Sequence, residues 1–551
     1  MAINTYSELL SFKEKIVSWI ESTVVEKNIQ QDSYVVYLSY GNIQQRCQVW
    51  ENCDQQISKV IKRLLNFVDK VFKKNNKLLE FVKVDIAYNV EKTAWENVVQ
   101  QLRNQKHNNH MRKGISLNEN FEISFLEQEI YAKSIIKGVV YNEPNFFDEK
   151  NLNDAIKKKY PSILKKISLE KIKYVWLFDT YSAFYENENL IDLNSQGCEN
   201  GIRILSGNKK EHIVELIKKN AEFLHREIQK DGRFIYGYFP AYNREINSYN
   251  TVRHCTAIYA LLETLEVDYK TEYLAQIKKS IQYAIDHFYR EVDGKGFMID
   301  GKSDELEVKL GSNATAIFMF AKYQEITKDD QYIAYAEKLA QGIQFMIDVN
   351  GETTHVLHYP SLEIKEKFRI VYYDGEAALG LLRLYQITHQ QELLETVKLM
   401  FEHFISKKYD KYHDHWLSYC TNELTMICPE EKYFQFGIDN YLKHMNFIKE
   451  RKTAYATFLE MMMSAYKMVK RLKDTEFTEL YESAQVEDLK SLIELRVEFQ
   501  RATGFFYPEI AMYMAKPNKI LNSFYVRHDR FRTRIDDQEH NLSGYVAYVK
   551  E

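Results

Sequence analysis

The chain has 551 residues, 45% of them hydrophobic, and its 74 Lys plus Arg against 78 Asp plus Glu leave a formal net charge of −4. That length and apolar content support two or three domains with their own cores and exclude a disordered chain. The balanced charge excludes a global basic field of the kind that draws nucleic acid.

The first stretch, "MAINTYSELLSFKEKIVSWIE", carries charges every few residues and no apolar run of signal-peptide length. No segment approaches the roughly eighteen apolar residues of a membrane span, so no integral membrane contact is expected. The six cysteines (Cys47, Cys53, Cys198, Cys255, Cys420, Cys428) show no CxxC spacing. They indicate neither a disulfide framework nor a zinc motif, and the expected setting is a reduced, cytoplasmic one. The 40 Tyr and 31 Phe suit a packed core and also sugar binding, because Tyr pairs an apolar body with a hydroxyl.

Residues 1–150 mix two periods. Segments 33–50 and 78–90 are β-branched and aromatic runs that read as strands. Segment 53–74 places Ile57, Val60, Ile61, Leu64 and Leu65 on one helical stripe. Residues 112–136 read as a last turn and helix. The whole is an α+β module, followed by a Lys- and Asn-rich linker at 151–168.

From 169 to 505 the pattern predicts helices only, in pairs of one apolar and one longer, more charged member. The apolar members fall at 171–186, 251–266, 313–327, 375–388, 415–427 and 453–472. Their partners fall at 211–228, 271–289, 329–347, 390–405, 431–448 and 476–501. A hairpin repeat of this kind buries its face only against its neighbours. Six hairpins close an (α/α)6 toroid, with the apolar helices inside. The expected fold is therefore mainly α, a toroid with a smaller N-terminal α+β domain. Long connections such as 229–250, 289–312 and 348–374 all lead into inner helices, and loops gathered on one face of a scaffold are where function is built.

The residues around the start of each inner helix carry the chemistry. "YNTVRH" supplies Asn250, Arg253 and His254; "GSNATA" supplies Asn313; "YYDGEAAL" supplies Tyr372, Tyr373 and Glu376. "HDHWL" supplies His413, Asp414, His415 and Trp416, and "RKTAYATFLE" supplies Tyr455. In a closed toroid these helix starts open on one end. Asp414 reads as an N-cap, its carboxylate meeting backbone N–H groups and the positive helix end. Glu376, Asp414 and Asp537 are the candidate acid and base or nucleophile of glycoside cleavage, with His254 as a candidate general base. Arg253 and Arg534 are candidate clamps for an acidic group. Tyr372, Tyr373, Trp416 and Tyr455 are candidate stacking surfaces, and Asn250, Asn313 and His415 further polar contacts.

The C-terminal "RIDDQEH" packs Arg534, Asp536, Asp537, Glu539 and His540 into seven residues. Residues 506–551 are expected to fold back on the toroid mouth, bringing Arg534, Asp536 and His540 beside Arg253, Glu376 and Asp414. The same imidazoles and carboxylates include ligand types for Zn, Mn or Fe. An HxH pair at a helix start does not put both rings on one side, however, and the expectation is no metal and no cofactor.

The segments "YNTVRHCTAIYALLE", "SNATAIFMFAKYQEITKDDQYIAYAEKLAQGIQFM" and "YYDGEAALGLLRLYQIT" resemble the six-hairpin toroid superfamily of carbohydrate-active proteins, such as unsaturated glucuronyl hydrolases and sugar 2-epimerases, over roughly residues 170–505. The resemblance implies an active site in the funnel at one end. Together with the aromatics, the arginines for acidic groups and the carboxylates at that end, it leads to the expectation of an enzyme that hydrolyses or otherwise processes an anionic glycan or glycoconjugate, with lyase and epimerase chemistry as variants. A non-catalytic glycan- or partner-binding protein of surface-polysaccharide assembly is the rival reading.

Overall fold

The computed structural model describes residues 3–105, 111–138, 144–302, 305–451 and 455–551. The first two residues of the inner helix predicted at 453–472 lie outside that set. Contacts divide the chain into two units. One comprises Met1–Gly207, Tyr238–Glu245 and Ala502–Thr533, and the other Asn208–Gly237, Ile246–Arg501 and Arg534–Glu551.

The first unit is built on a seven-stranded antiparallel sheet. Its long strands are Tyr34–Asn42, Gln45–Asp54, Phe81–Ala94 and Tyr174–Glu186. Helices Tyr6–Glu26 and Ile57–Asn75 pack on the sheet through Phe12, Ile16, Ile20, Val60, Leu64 and Val68. Segment 171–186, expected as the first inner helix, is the strand Tyr174–Glu186, paired with Phe81–Ala94. Its aromatic and β-branched residues favour pleated packing, and a neighbouring strand was there to accept them. Residues 112–136 likewise form two short strands, Gly114–Ser116 and Ser124–Phe125, before a short helix, Glu127–Ala132.

The second unit is a six-hairpin α/α toroid. Twelve helices described here make it: α1 (Lys209–Arg226), α2 (Thr251–Thr264), α3 (Thr271–Phe288), α4 (Leu310–Thr327), α5 (Ile333–Phe345), α6 (Tyr372–Thr388), α7 (Gln391–Ser406), α8 (His415–Ile427), α9 (Glu431–Leu442), α10 (Thr457–Leu472), α11 (Val486–Thr503) and α12 (Ile535–Lys550). The even-numbered helices are the inner ones. Each packs on the next, α2 on α4, α4 on α6, α6 on α8, α8 on α10, α10 on α12, and α12 back on α2. The ring is closed. The odd-numbered helices lie outside, and α11 is tied to α12 by Tyr545 and Tyr548, whose hydroxyls donate to Val497 O and Glu494 Oε1.

Closure differs from the expected one in a single respect. The sixth inner helix is α12, so the tail from Ile535 is a stave of the ring and not a strap laid across its mouth. Leu542, Tyr545 and Val546 are buried in it, and an apolar face that can be covered on both flanks is driven inside.

The inner helices run parallel and very close. A Cβ at Gly375 of α6 would lie 2.7 Å from Trp416 and Leu417 backbone atoms of α8. At their C-terminal ends the inner helices are bound by a polar layer. Ser543 donates to Glu263, Lys322 and Lys550 meet Glu266, Arg383 lies 2.8 Å from Glu423, and Arg471 donates to Asn422. Among the described residues no helix is long and apolar enough to cross a membrane.

Candidate functional site

The opposite end, where the inner helices begin, is flanked by a five-stranded sheet formed by the long connections Tyr289–Lys309 and Val356–Glu366. Thr251 at the start of α2 donates to Ile299 O, and the Leu310 N–H at the start of α4 donates to His355 O. The residues at this end are therefore held by backbone on their outer side. Their inner sides face one another.

Glu376 lies in the first turn and a half of α6 and is only 3% exposed. Its Oε2 has no hydrogen-bond partner. Burial, reinforced by the charges of Asp414 and Asp374 and opposed by Arg253, raises its pKa well above the ordinary carboxylate value. Gly311 of α4 makes the space, because a Cβ there would overlap Glu376 Oε2 and the Tyr373 ring. Tyr373 is pushed up to about 12 by its own burial and by Glu376.

Asp414 is the N-cap of α8, as its position suggested. Its Oδ2 accepts the Leu417 N–H at 2.9 Å, and its backbone N–H donates to Asn440 Oδ1. Its Oδ1 lies 3.1 Å from His415 Nδ1. His415, 4% exposed, leaves Nε2 buried and without a partner. The His415 ring meets Tyr372 edge-on at 5.4 Å and His540 edge-on at 5.2 Å. His540 Nδ1 lies 2.8 Å from Glu460 Oε2 and 3.1 Å from Glu539 Oε2. Tyr419 donates to the other Glu460 oxygen at 3.2 Å.

The aromatic rim is smaller than expected. Tyr372 and Tyr455 are 38% and 40% exposed, with Tyr455 stacked on Phe458. Trp416, expected to stack on a sugar, is buried against Phe318.

Arg253 and Arg534 both converge on Asp536. Arg253 Nε and an Arg534 terminal nitrogen each lie 2.7 Å from Asp536 Oδ2. The Asp536 carboxylate raises the Arg253 pKa further. The two guanidinium groups expected to clamp an acidic substrate are thus already held by a carboxylate of the chain. Asp537, expected as a catalytic carboxyl, accepts the Arg534 N–H at 2.9 Å and caps α12. Asn250 caps α2 by accepting the Arg253 N–H.

Two expected site residues are committed elsewhere. His254 is enclosed by Phe234, Tyr249, Tyr283 and Phe288, its Nδ1 on the Tyr249 hydroxyl at 2.6 Å and its Nε2 on Ser280 O at 2.9 Å. With both nitrogens engaged it is a packing histidine and not a general base. Asn313 accepts the Met298 N–H and donates to Gly296 O, fastening α4 to the flanking sheet. His413 also turns away, its Nδ1 on Asn440 O and its ring stacked on His444.

Glu460 was missed, and Glu539 was noted but not assigned. The signal for Glu460 is a lone carboxylate inside the apolar run "TFLEMMMS" of an inner helix, where an ionisable group needs a partner.

No family model matches the sequence, and no curated protein matches it. Among solved structures the chain is similar to a D-mannose isomerase, at 12% identity over 63% of this chain and all of that one, with a TM-score of 0.47. It is similar to the cellobiose 2-epimerase of Bacillus thermoamylovorans at 12% identity over 62% of this chain and 99% of that one, with a TM-score of 0.45. An α-1,6-mannanase of Salegentibacter aligns at 12% identity over 61% of this chain and 98% of that one, with a TM-score of 0.43.

Proposed function

We propose that this chain is a carbohydrate-active enzyme whose acid is Glu376. The carrying observation is a buried carboxyl with an unpartnered oxygen and a strongly raised pKa, at the end of the ring where two half-exposed tyrosines stand. A carboxyl kept neutral by its surroundings donates a proton at a pH where ordinary carboxyls cannot. Asp414, with one oxygen capping α8 and the other beside His415, acts as a fixed negative charge that favours the positive character developing at an anomeric carbon. Tyr372 and Tyr455 offer faces and hydroxyls to a sugar ring.

The reaction favoured is hydrolysis of a glycosidic bond, with proton transfer during epimerisation or elimination using the same acid. The engagement of Arg253 and Arg534 by Asp536 supports a neutral sugar at this end more than an acidic one. Six unpaired cysteines favour a reducing, cytoplasmic setting. The rival, a binder without catalysis, would have every carboxyl locked to an arginine. Asp536 and Asp537 fit that pattern, and Glu376 does not.

Incubating the full chain with panels of neutral and uronate-containing oligosaccharides, followed by chromatography, tests the reading. Glu376→Gln should lower turnover by about 10²–10⁴-fold while sugar binding persists. Unchanged turnover in that variant, or no processing of any sugar by the wild type, would remove the proposal.

A further inference from the structure

We infer that His415, Glu460 and His540 form a site for one first-row divalent cation, of the Zn, Mn, Fe or Co kind. A ligand atom from each of the three lies within 4.8 Å of the other two. They come from three successive inner helices, α8, α10 and α12. Two imidazoles and one carboxylate are the donor set of three-ligand sites that keep coordination positions open for water or substrate.

The geometry around the triad points the same way. A metal-binding histidine has its second nitrogen held by a carboxylate or carbonyl, which fixes the tautomer and frees the ligating lone pair. His415 Nδ1 lies 3.1 Å from Asp414 Oδ1, a close approach without hydrogen-bond geometry, while Nε2 is buried and has no partner. Glu460 is oriented by the Tyr419 hydroxyl. Around His540 Nδ1 stand two carboxyl groups, Glu460 at 2.8 Å and Glu539 at 3.1 Å. Two carboxyl groups and two imidazoles gathered in a buried place are donors that a divalent cation can engage together.

A cluster consisting only of a His540 imidazolium between Glu460 and Glu539 is the alternative. It accounts for three of the groups and leaves the orphaned His415 Nε2 unexplained. A cation in contact with all three helices would reach a sugar hydroxyl at the ring mouth, which deepens the reading above and rests on it only for that last step. Metal binding and sugar processing are separable, because Glu376 is no part of the triad.

The test uses the full chain freed of metal by a chelator and then titrated with Co²⁺, followed by visible absorption and by equilibrium dialysis with elemental analysis. One equivalent should bind, with the ligand-field bands of a nitrogen–oxygen site. Glu460→Gln and His540→Gln should each weaken binding at least tenfold. Glu376→Gln should bind Co²⁺ as the wild type does while losing sugar turnover, so that the two readings fail independently. Helical circular dichroism checks each fold, and if Glu460→Gln does not fold, the partly exposed His540 supplies the same readout. Absence of stoichiometric binding in the wild type, or equal binding in the His540→Gln variant, overturns the site and leaves the imidazolium cluster.

Discussion

At the scale of single residues, burial disfavours the charged forms of Glu376 and His254. Glu376 has a folded-state pKa above its unfolded one, so its stabilising contribution is present below the ordinary carboxylate range and is lost as pH rises toward the raised value. Glu376→Gln should therefore stabilise the ring at neutral pH, by on the order of 1 kcal/mol or more, while lowering turnover. Thermal melts of both proteins at pH 5 and pH 8 check this, and a difference that does not grow with pH would contradict it. His254 has the opposite sense. Burial lowers its pKa from 6.5 to about 4, against the favourable Ser280 carbonyl and beside His287, Arg233 and Asp231. Because the unfolded imidazole takes up a proton below 6.5 and the folded one does not, stability should fall as pH drops from 6.5 to 4, by up to about 3 kcal/mol. Urea denaturation of wild type and His254→Gln at pH 7 and pH 4.5 reads that slope, which the variant should largely lose.

At the scale of elements, what the sequence revealed depended on whether the determining contacts were local. Asp414 was legible as a cap because a cap acts within its own first turn, whereas Asn250, expected as a polar contact, caps α2 in the same way. Helix starts at 251 and 415 were legible from apolar periodicity and coincide with those of α2 and α8, while the helix expected from 375 begins one turn earlier, at Tyr372. Segment 171–186 was misread because its apolar texture suits a strand as well as a helix, and only the partner strand decides. The polar role of His254 and Asn313 was misread because helix starts alone do not say which side of the helix a residue faces. Glu460 could be placed only when three helices were brought together. The close approach of inner helices is itself testable. Gly375→Ala would drive a methyl into the α8 backbone and should destabilise the ring by about 1–3 kcal/mol. A circular dichroism melt measures it, and an unchanged midpoint would mean that α6 and α8 can part without cost.

At the scale of the whole ring, closure depends on a helix that is remote in sequence from the rest. α12 joins α10 and α2 through His540 with Glu460, Ser543 with Glu263 and Asp536 with Arg253, along both of its flanks. Leu542 is fully buried. A docked strap and a stave predict different consequences of removal. Deleting a strap over residues 534–551 would leave the helical signal and its melting transition intact. Deleting a stave exposes the apolar flanks of α2 and α10, and the loss of a whole buried face exceeds the marginal stability of a domain. The truncated chain should therefore lose its cooperative thermal transition and become sensitive to limited proteolysis within the ring. The milder Leu542→Ala should keep the fold and lower its stability by about 2–5 kcal/mol, the range for a buried leucine replaced by a cavity. Denaturant unfolding followed by circular dichroism separates the cases. A truncated chain that still melts sharply near the wild-type temperature would show that five inner helices close without α12, and that the contacts of His540 with Glu460 are dispensable for the ring.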